Sequence, residues 1–122
     1  MSPVLQVTGL SKRFGSTAAL VEASISVAAG EFVAVLGPSG AGKSTLFRCI
    51  TRLIEPDAGE INLTGRPFHR LRHRALAMAR RDIGLVFQQF NLVRRRSARD
   101  NVLSGRLGAM ALWRVTTKQF PR

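Results

Sequence analysis

The sequence predicts an α/β fold in which an antiparallel β layer precedes a strand, a glycine-rich loop and a helix. Three features carry that expectation. Val4–Leu10 is β-rich, and Ile25 and Val27 alternate with Ser24 and Ser26, the period of a strand with one buried face. Phe32 to Leu36 is a continuous apolar run, as a strand buried on both faces requires. Directly after it comes the glycine-rich stretch Gly37–Gly42, and then Leu46, Phe47, Ile50, Leu53 and Ile54 recur at helical spacing.

The remaining elements follow in order. Ala28, Ala29 and Gly30 form a turn, and Pro56, Asp57 and Gly59 stop the helix after the loop. Ile61 and Leu63 alternate with Glu60, Asn62 and Thr64 in a further half-exposed strand closed by Gly65. Phe68 to Arg80 reads as a basic helix with Leu71, Ala75, Leu76 and Ala79 toward the core. Ile83, Leu85 and Phe87 bracket Gly84 and Val86 as a second core strand, and from Asn91 the chain is arginine-rich with helical propensity.

At 122 residues the chain is one domain at most, and 45% hydrophobic residues suffice for a modest core. No apolar run approaches the roughly 18 residues that cross a bilayer. The start, Met1-Ser2-Pro3-Val4, lacks the features of a signal peptide, so the chain is expected in the cytoplasm. A lone cysteine, Cys49, excludes an internal disulfide and is read as a core residue. Net charge is +12 and is unevenly distributed. Residues 1–65 hold five basic and five acidic side chains, whereas residues 66–122 hold fourteen and two. Such a half suits nucleic acid, anionic lipid or an acidic partner, and its plainer reading is a solvated surface.

The chemistry is concentrated in Gly37-Pro38-Ser39-Gly40-Ala41-Gly42-Lys43-Ser44, followed by Thr45. It fits G-x-x-x-x-G-K-[ST] at every fixed position, with a strand-like run before it and a helical pattern after it. Glycines reach backbone angles that let successive N–H groups turn inward around an anion. The helix beginning near Lys43 aims its N-terminal dipole at the same phosphates. Lys43 supplies a mobile positive charge for the β- and γ-phosphates, and the Ser44 hydroxyl suits Mg²⁺. A nucleoside triphosphate with Mg²⁺ is therefore the expected ligand of Gly37, Pro38, Ser39, Gly40, Ala41, Gly42, Lys43, Ser44 and Thr45.

With strand-like segments and Glu31-Phe32-Val33 ahead of it, this loop resembles that of the ATP-binding cassette (ABC) ATPases, as does Pro56-Asp57-Ala58-Gly59-Glu60-Ile61. Val86-Phe87-Gln88-Gln89-Phe90-Asn91-Leu92 resembles their Q-loop, which implies a catalytic and Mg²⁺-contacting role for Gln88, with Gln89 the rival. Lys43 would join it as a catalytic residue. Ser11-Lys12-Arg13-Phe14-Gly15 resembles the segment whose aromatic stacks on adenine. Phe14 would fill that role, or would be an ordinary core residue. The segments 87–93, 101–108, 112–114 and 120–122 are most similar to phosphonate-import ATPases.

The resemblance implies a P-loop NTPase of the ABC ATPase type, with an N-terminal antiparallel β layer and an incomplete core sheet. Residues 1–122 would be the N-terminal part of one nucleotide-binding domain. Residues 1–90 would form the β layer and P-loop core, and 91–122 the start of a truncated helical subdomain. The LSGGQ-type signature, the Asp-Glu strand end and the switch histidine of the family are absent from the sequence. Leu103-Ser104-Gly105 lies too close to the Q-loop to be the signature, and His69 and His73 precede it and lack a third metal ligand. Without the later strands, Phe32–Leu36 would have an edge or face poorly covered.

The function implied is ATP binding by the truncated ATPase subunit of an importer whose complete form couples hydrolysis to uptake of phosphonate or a related anion. The complete form would be a homodimer with transmembrane permease subunits, peripheral to the inner face of the membrane. Nucleic acid is not the expected partner. The other reading is a non-hydrolysing nucleotide-binding fragment whose basic C-terminal half binds nucleic acid or anionic lipid.

Overall fold

The computed structural model describes residues 3–87 and 92–105. The chain divides into two units, Met1–Gly84 and Leu85–Arg122. In the first unit β1 (Leu5–Phe14) and β2 (Thr17–Val27) form a hairpin through Gly15 and Ser16. β3 (Ala58–Leu63) pairs with the other edge of β1, and the short β4 (Arg66–Pro67) pairs with β3. The order is β2-β1-β3-β4 and every pairing is antiparallel. This is the expected β layer.

Alternation does the sorting. Val7 faces Ile25 on one side and Ile61 on the other, so apolar residues from three strands share a face. Val7, Leu10 and Ile61 are buried there, while Gln6, Thr8, Ser24 and Ser26 lie on the exposed side. Helix α1 (Lys43–Ile50) covers the buried face with Leu46, Cys49 and Ile50, and Phe68 completes the core. Each such side chain contributes about 1.5–3 kcal/mol by leaving water. Burial also pushes the Cys49 thiol above its ordinary value, as suits a core cysteine. Gly59 sits where β3 crosses β1 closely. Its φ is 105° and a Cβ would lie 2.6 Å from Leu10 Cα, so only glycine fits.

Four expected elements differ. The run Phe32–Leu36 is not a strand: it has no sheet partner among the described residues, and Phe32 and Leu36 are 92% and 89% exposed. A run buried on both faces needs parallel neighbours, and the sheet formed here is antiparallel and lies elsewhere. For the same reason residues 83–87 do not form the expected second strand, and Val86 is exposed.

Helix α1 ends at Ile50, short of the expected Leu53 and Ile54, and both Leu53 and Phe47 are exposed. Arg52 adopts a left-handed backbone, φ 53°, which stops the helix at a cost of about 1–2 kcal/mol. Its buried guanidinium offsets this by donating to the Phe68 and Leu71 carbonyls at 2.9 and 2.6 Å and by pairing with Glu55 at 2.6 Å. Those two carbonyls are then not free for a continuous helix. Accordingly Phe68–Arg70 is a single 3₁₀ turn, residues 71–72 are extended, and α2 covers only His73–Ala79. Of its expected core side, Ala79 is buried, Leu71 and Leu76 are half-buried, and Ala75 is exposed. Arg80 donates to the Thr51 and Arg52 carbonyls and so closes the end of α1.

In the second unit the described residues form one helix, α3 (Ala98–Ser104). Ser97 caps it, its hydroxyl accepting from Asp100 N at 3.1 Å. No helix among the described residues is long and apolar enough to cross a membrane.

Candidate nucleotide site

The loop Gly37–Gly42 leads from the unpaired run into α1. Gly40 and Gly42 have φ of 82° and 86°, which β-carbon-bearing residues rarely adopt, and Ala41 N donates to the Pro38 carbonyl at 3.2 Å. The loop is thus a tight, left-turning arch, as the motif predicts. Gly42 is the N-cap of α1. The first helical bond runs from Leu46 N to Gly42 O at 2.8 Å. The N–H groups of Lys43, Ser44 and Thr45 precede it, and a helix start leaves such donors for an external acceptor.

Lys43 folds back over the arch. Its ammonium donates to the carbonyls of Gly37 at 2.7 Å and Pro38 at 2.6 Å. A cation is therefore fixed beside the helix N-terminus, so charge, dipole and free N–H groups converge on one place. Ser44 is exposed on the first turn of α1.

Sequence reading missed what stands behind the arch. A Cβ on Gly42 would collide with the Ala19 carbonyl oxygen and meet Leu20 Cδ2 at 3.3 Å, so β2 backs directly onto the N-cap. The spacing of the motif does not reveal that contact; only the position of β2 does. It also places Phe14. Phe14 pairs with Thr17 at the hairpin end of the sheet, two residues before Ala19, so the ring belongs to the end of the sheet that abuts the loop. Phe14 is 48% exposed, which overturns the core reading and leaves the ring available for stacking.

The ring's neighbour is Lys12, whose ammonium lies 5.5 Å from the ring centroid and donates to Asp57 at 2.7 Å. Asp57 also accepts from Arg13 N at 2.7 Å. The hydrogen bond from Lys12, reinforced by that from Arg13 N, holds the Asp57 carboxyl below its ordinary value of 3.8. The turn that sequence reading took as a helix stop is thereby tied to the Phe14 segment.

Gln88, Gln89 and Asn91 lie outside the described residues, so the structure brings Gly37–Thr45 and Phe14 into one unit and leaves Gln88 unplaced. His69 is used internally: its Nδ1 lies 3.0 Å from the Ile61 carbonyl oxygen, and Arg70 Nε donates to its Nε2 at 3.3 Å. No group of three or more potential metal-binding His, Cys, Asp or Glu side chains occurs among the described residues.

The family model described as ABC transporter matches residues 20–120. The chain is 46% identical over 120 residues to a phosphonates import ATP-binding protein of Ruegeria sp. strain TM1040, covering 98% of this chain and 47% of that protein. It is 48% identical over 118 residues to a hypophosphite import ATP-binding protein of Stutzerimonas stutzeri, covering 97% and 35% respectively. Among solved structures, the dimeric bacterial ABC transporter cassette MJ0796 aligns with a TM-score of 0.78 at 34% identity, over 88% of this chain and 48% of that one. The chain thus spans less than half the length of these relatives. With the loop arch, the helix start and the β layer already in place, these likenesses establish that the chain belongs to the ABC transporter family and carries its P-loop α/β fold.

Proposed function

We propose that the chain binds Mg-ATP as the N-terminal part of an ABC nucleotide-binding domain. Residues 1–90 would supply the β layer and P-loop core, and 91–122 the start of the helical subdomain. The observation that carries this reading is the convergence of the Lys43 ammonium, the left-turning arch and the first-turn N–H groups of α1. Gly37, Pro38, Ser39, Gly40, Ala41 and Gly42 wrap the phosphates, while Lys43, Ser44 and Thr45 present the helix start to them. On anion arrival the Lys43 ammonium exchanges carbonyl partners for phosphate oxygens, a short reach from where it already rests. Ser44 and Gln88 would hold Mg²⁺, whose charge offsets that of the phosphates. Phe14 stacks on the adenine.

The names of the relatives support a wider reading of the same site. In it, the domain serves an importer of phosphonate or a related phosphorus oxyanion, working as a homodimer against transmembrane permease subunits at the cytoplasmic membrane face. Within its 122 residues the chain has no Asp-Glu strand end and no LSGGQ-type signature, so ATP turnover by it alone is expected at background.

Titration calorimetry tests the binding step. ATP with Mg²⁺ should bind the chain, and Lys43→Ala should remove detectable binding, while Gln88→Ala should weaken the Mg²⁺ dependence more than the nucleotide affinity. Equal ATP binding by the chain and Lys43→Ala would overturn the reading. Phosphate release above that of Lys43→Ala would overturn the expectation of background turnover.

A further inference from the structure

The described part of the second unit presents arginine in an unusual way. Arg94, Arg95, Arg96 and Arg99 are all exposed, against a single acid, Asp100, in the same stretch. The ion pairs among the described residues are Lys12–Asp57, Arg52–Glu55 and Arg72–Glu55, so none engages these four. The segment that carries them is nonetheless held in place. Arg96 N donates to the Val93 carbonyl at 3.0 Å, closing a turn. The Asn101 side chain accepts from Val93 N at 2.8 Å and donates to the carbonyls of Val93, Arg96 and Ser97 at 3.2, 3.3 and 3.0 Å. One amide thus pins the turn to α3 from both sides. Both ends of the turn are thereby held, and the four arginine side chains stay exposed.

Exposed aliphatic side chains lie in the same short stretch. Leu92, Val93 and Val102 are 63%, 51% and 76% exposed, and Val102 lies three residues from Arg99, on the same side of α3. We propose that this turn and the Arg99–Val102 side of α3 form a docking surface for anionic phospholipid headgroups. A guanidinium matches a phosphate in two hydrogen bonds. Adjacent aliphatic tips gain by entering the headgroup and acyl boundary, a gain that a nucleic-acid surface does not offer. Single-stranded nucleic acid is gripped by aromatic stacking as well as charge, and residues 92–105 contain no aromatic side chain. The pinned turn also lowers the ordering cost of binding.

Vesicle co-sedimentation of the full chain tests this. Phosphatidylglycerol vesicles should bind it and phosphatidylcholine vesicles should not. Each arginine lost from the turn should weaken binding about fivefold, so R94Q/R95Q/R96Q should weaken it on the order of a hundredfold. The lysine triple R94K/R95K/R96K should keep most of the binding, with circular dichroism confirming an unchanged fold in both. The control R48Q/R66Q/R74Q removes as many exposed charges elsewhere and should have much the smaller effect. Any of three results overturns the proposal: equal binding to both vesicle types, equal loss in the control, or tighter binding to an oligothymidylate than to phosphatidylglycerol at the same salt.

Discussion

The sheet and the apolar run that follows it are built from similar residues and have opposite fates. β1, β2 and β3 pair on consecutive edges, and Val7, Leu10 and Ile61 between them are at most 2% exposed. Phe32–Leu36 has the more apolar composition, yet it pairs with nothing among the described residues and leaves Phe32 and Leu36 in water. Antiparallel strands find partners through a two-residue turn, as at Gly15 and Ser16, whereas parallel strands need partners delivered by long crossovers. Hydrophobicity makes a run a candidate for burial, and the chain around it decides whether burial occurs. An open cleft of about 320 Å³ bounded by Leu5, Ile25, Val33, Val35, Leu46 and Ile50 marks where the run and the sheet core meet without closing.

The contrast gives graded expectations. Ile61→Ala should cost the most, about 2–5 kcal/mol in thermal or urea unfolding, because it opens a cavity in the one fully paired face. Gly59→Ala should follow at roughly 1–3 kcal/mol, since it forces a Cβ against the Leu10 backbone at positive φ. Asp57→Asn should matter through pH. The Asp57 carboxyl is held below 3.8 in the folded state, so its pairing with Lys12 contributes above that value and is lost as pH falls through the folded pKa. Acid unfolding followed by circular dichroism should therefore begin at higher pH in the variant, and the two curves should converge at low pH. Phe32→Ser should change stability least, within about 0.5 kcal/mol, because the ring it removes is already solvated. A loss for Phe32→Ser comparable to that for Ile61→Ala would erase the contrast.

Much of this was legible in the sequence where the cause is local. The loop arch follows from Gly40 and Gly42, the helix start from the apolar spacing behind Lys43, and the β layer from alternation about Val7, Ile25 and Ile61. What was not legible depends on contacts across the chain. Arg52 stops α1 only because Phe68 and Leu71 carbonyls stand within its reach. That contact also breaks the helix expected over Phe68–Arg80. Sequence alone left Phe14 between stacking on adenine and the core, and the hairpin sets it exposed at the sheet's end. Gln88 lies outside the described residues, and the Mg²⁺ role proposed for it rests on the resemblance of Phe87-Gln88-Gln89 to a Q-loop.

A paired antiparallel layer presents a P-loop helix whose leading apolar run, Phe32–Leu36, is unpaired among the described residues. Amide hydrogen exchange of the chain reads this residue by residue. Strong protection is expected at Val7, Leu10 and Ile61, with exchange near the unstructured rate at Val33 through Leu36. Protection at Val33–Leu36 equal to that of β1 would contradict it, because such protection requires a hydrogen-bonded partner for that run.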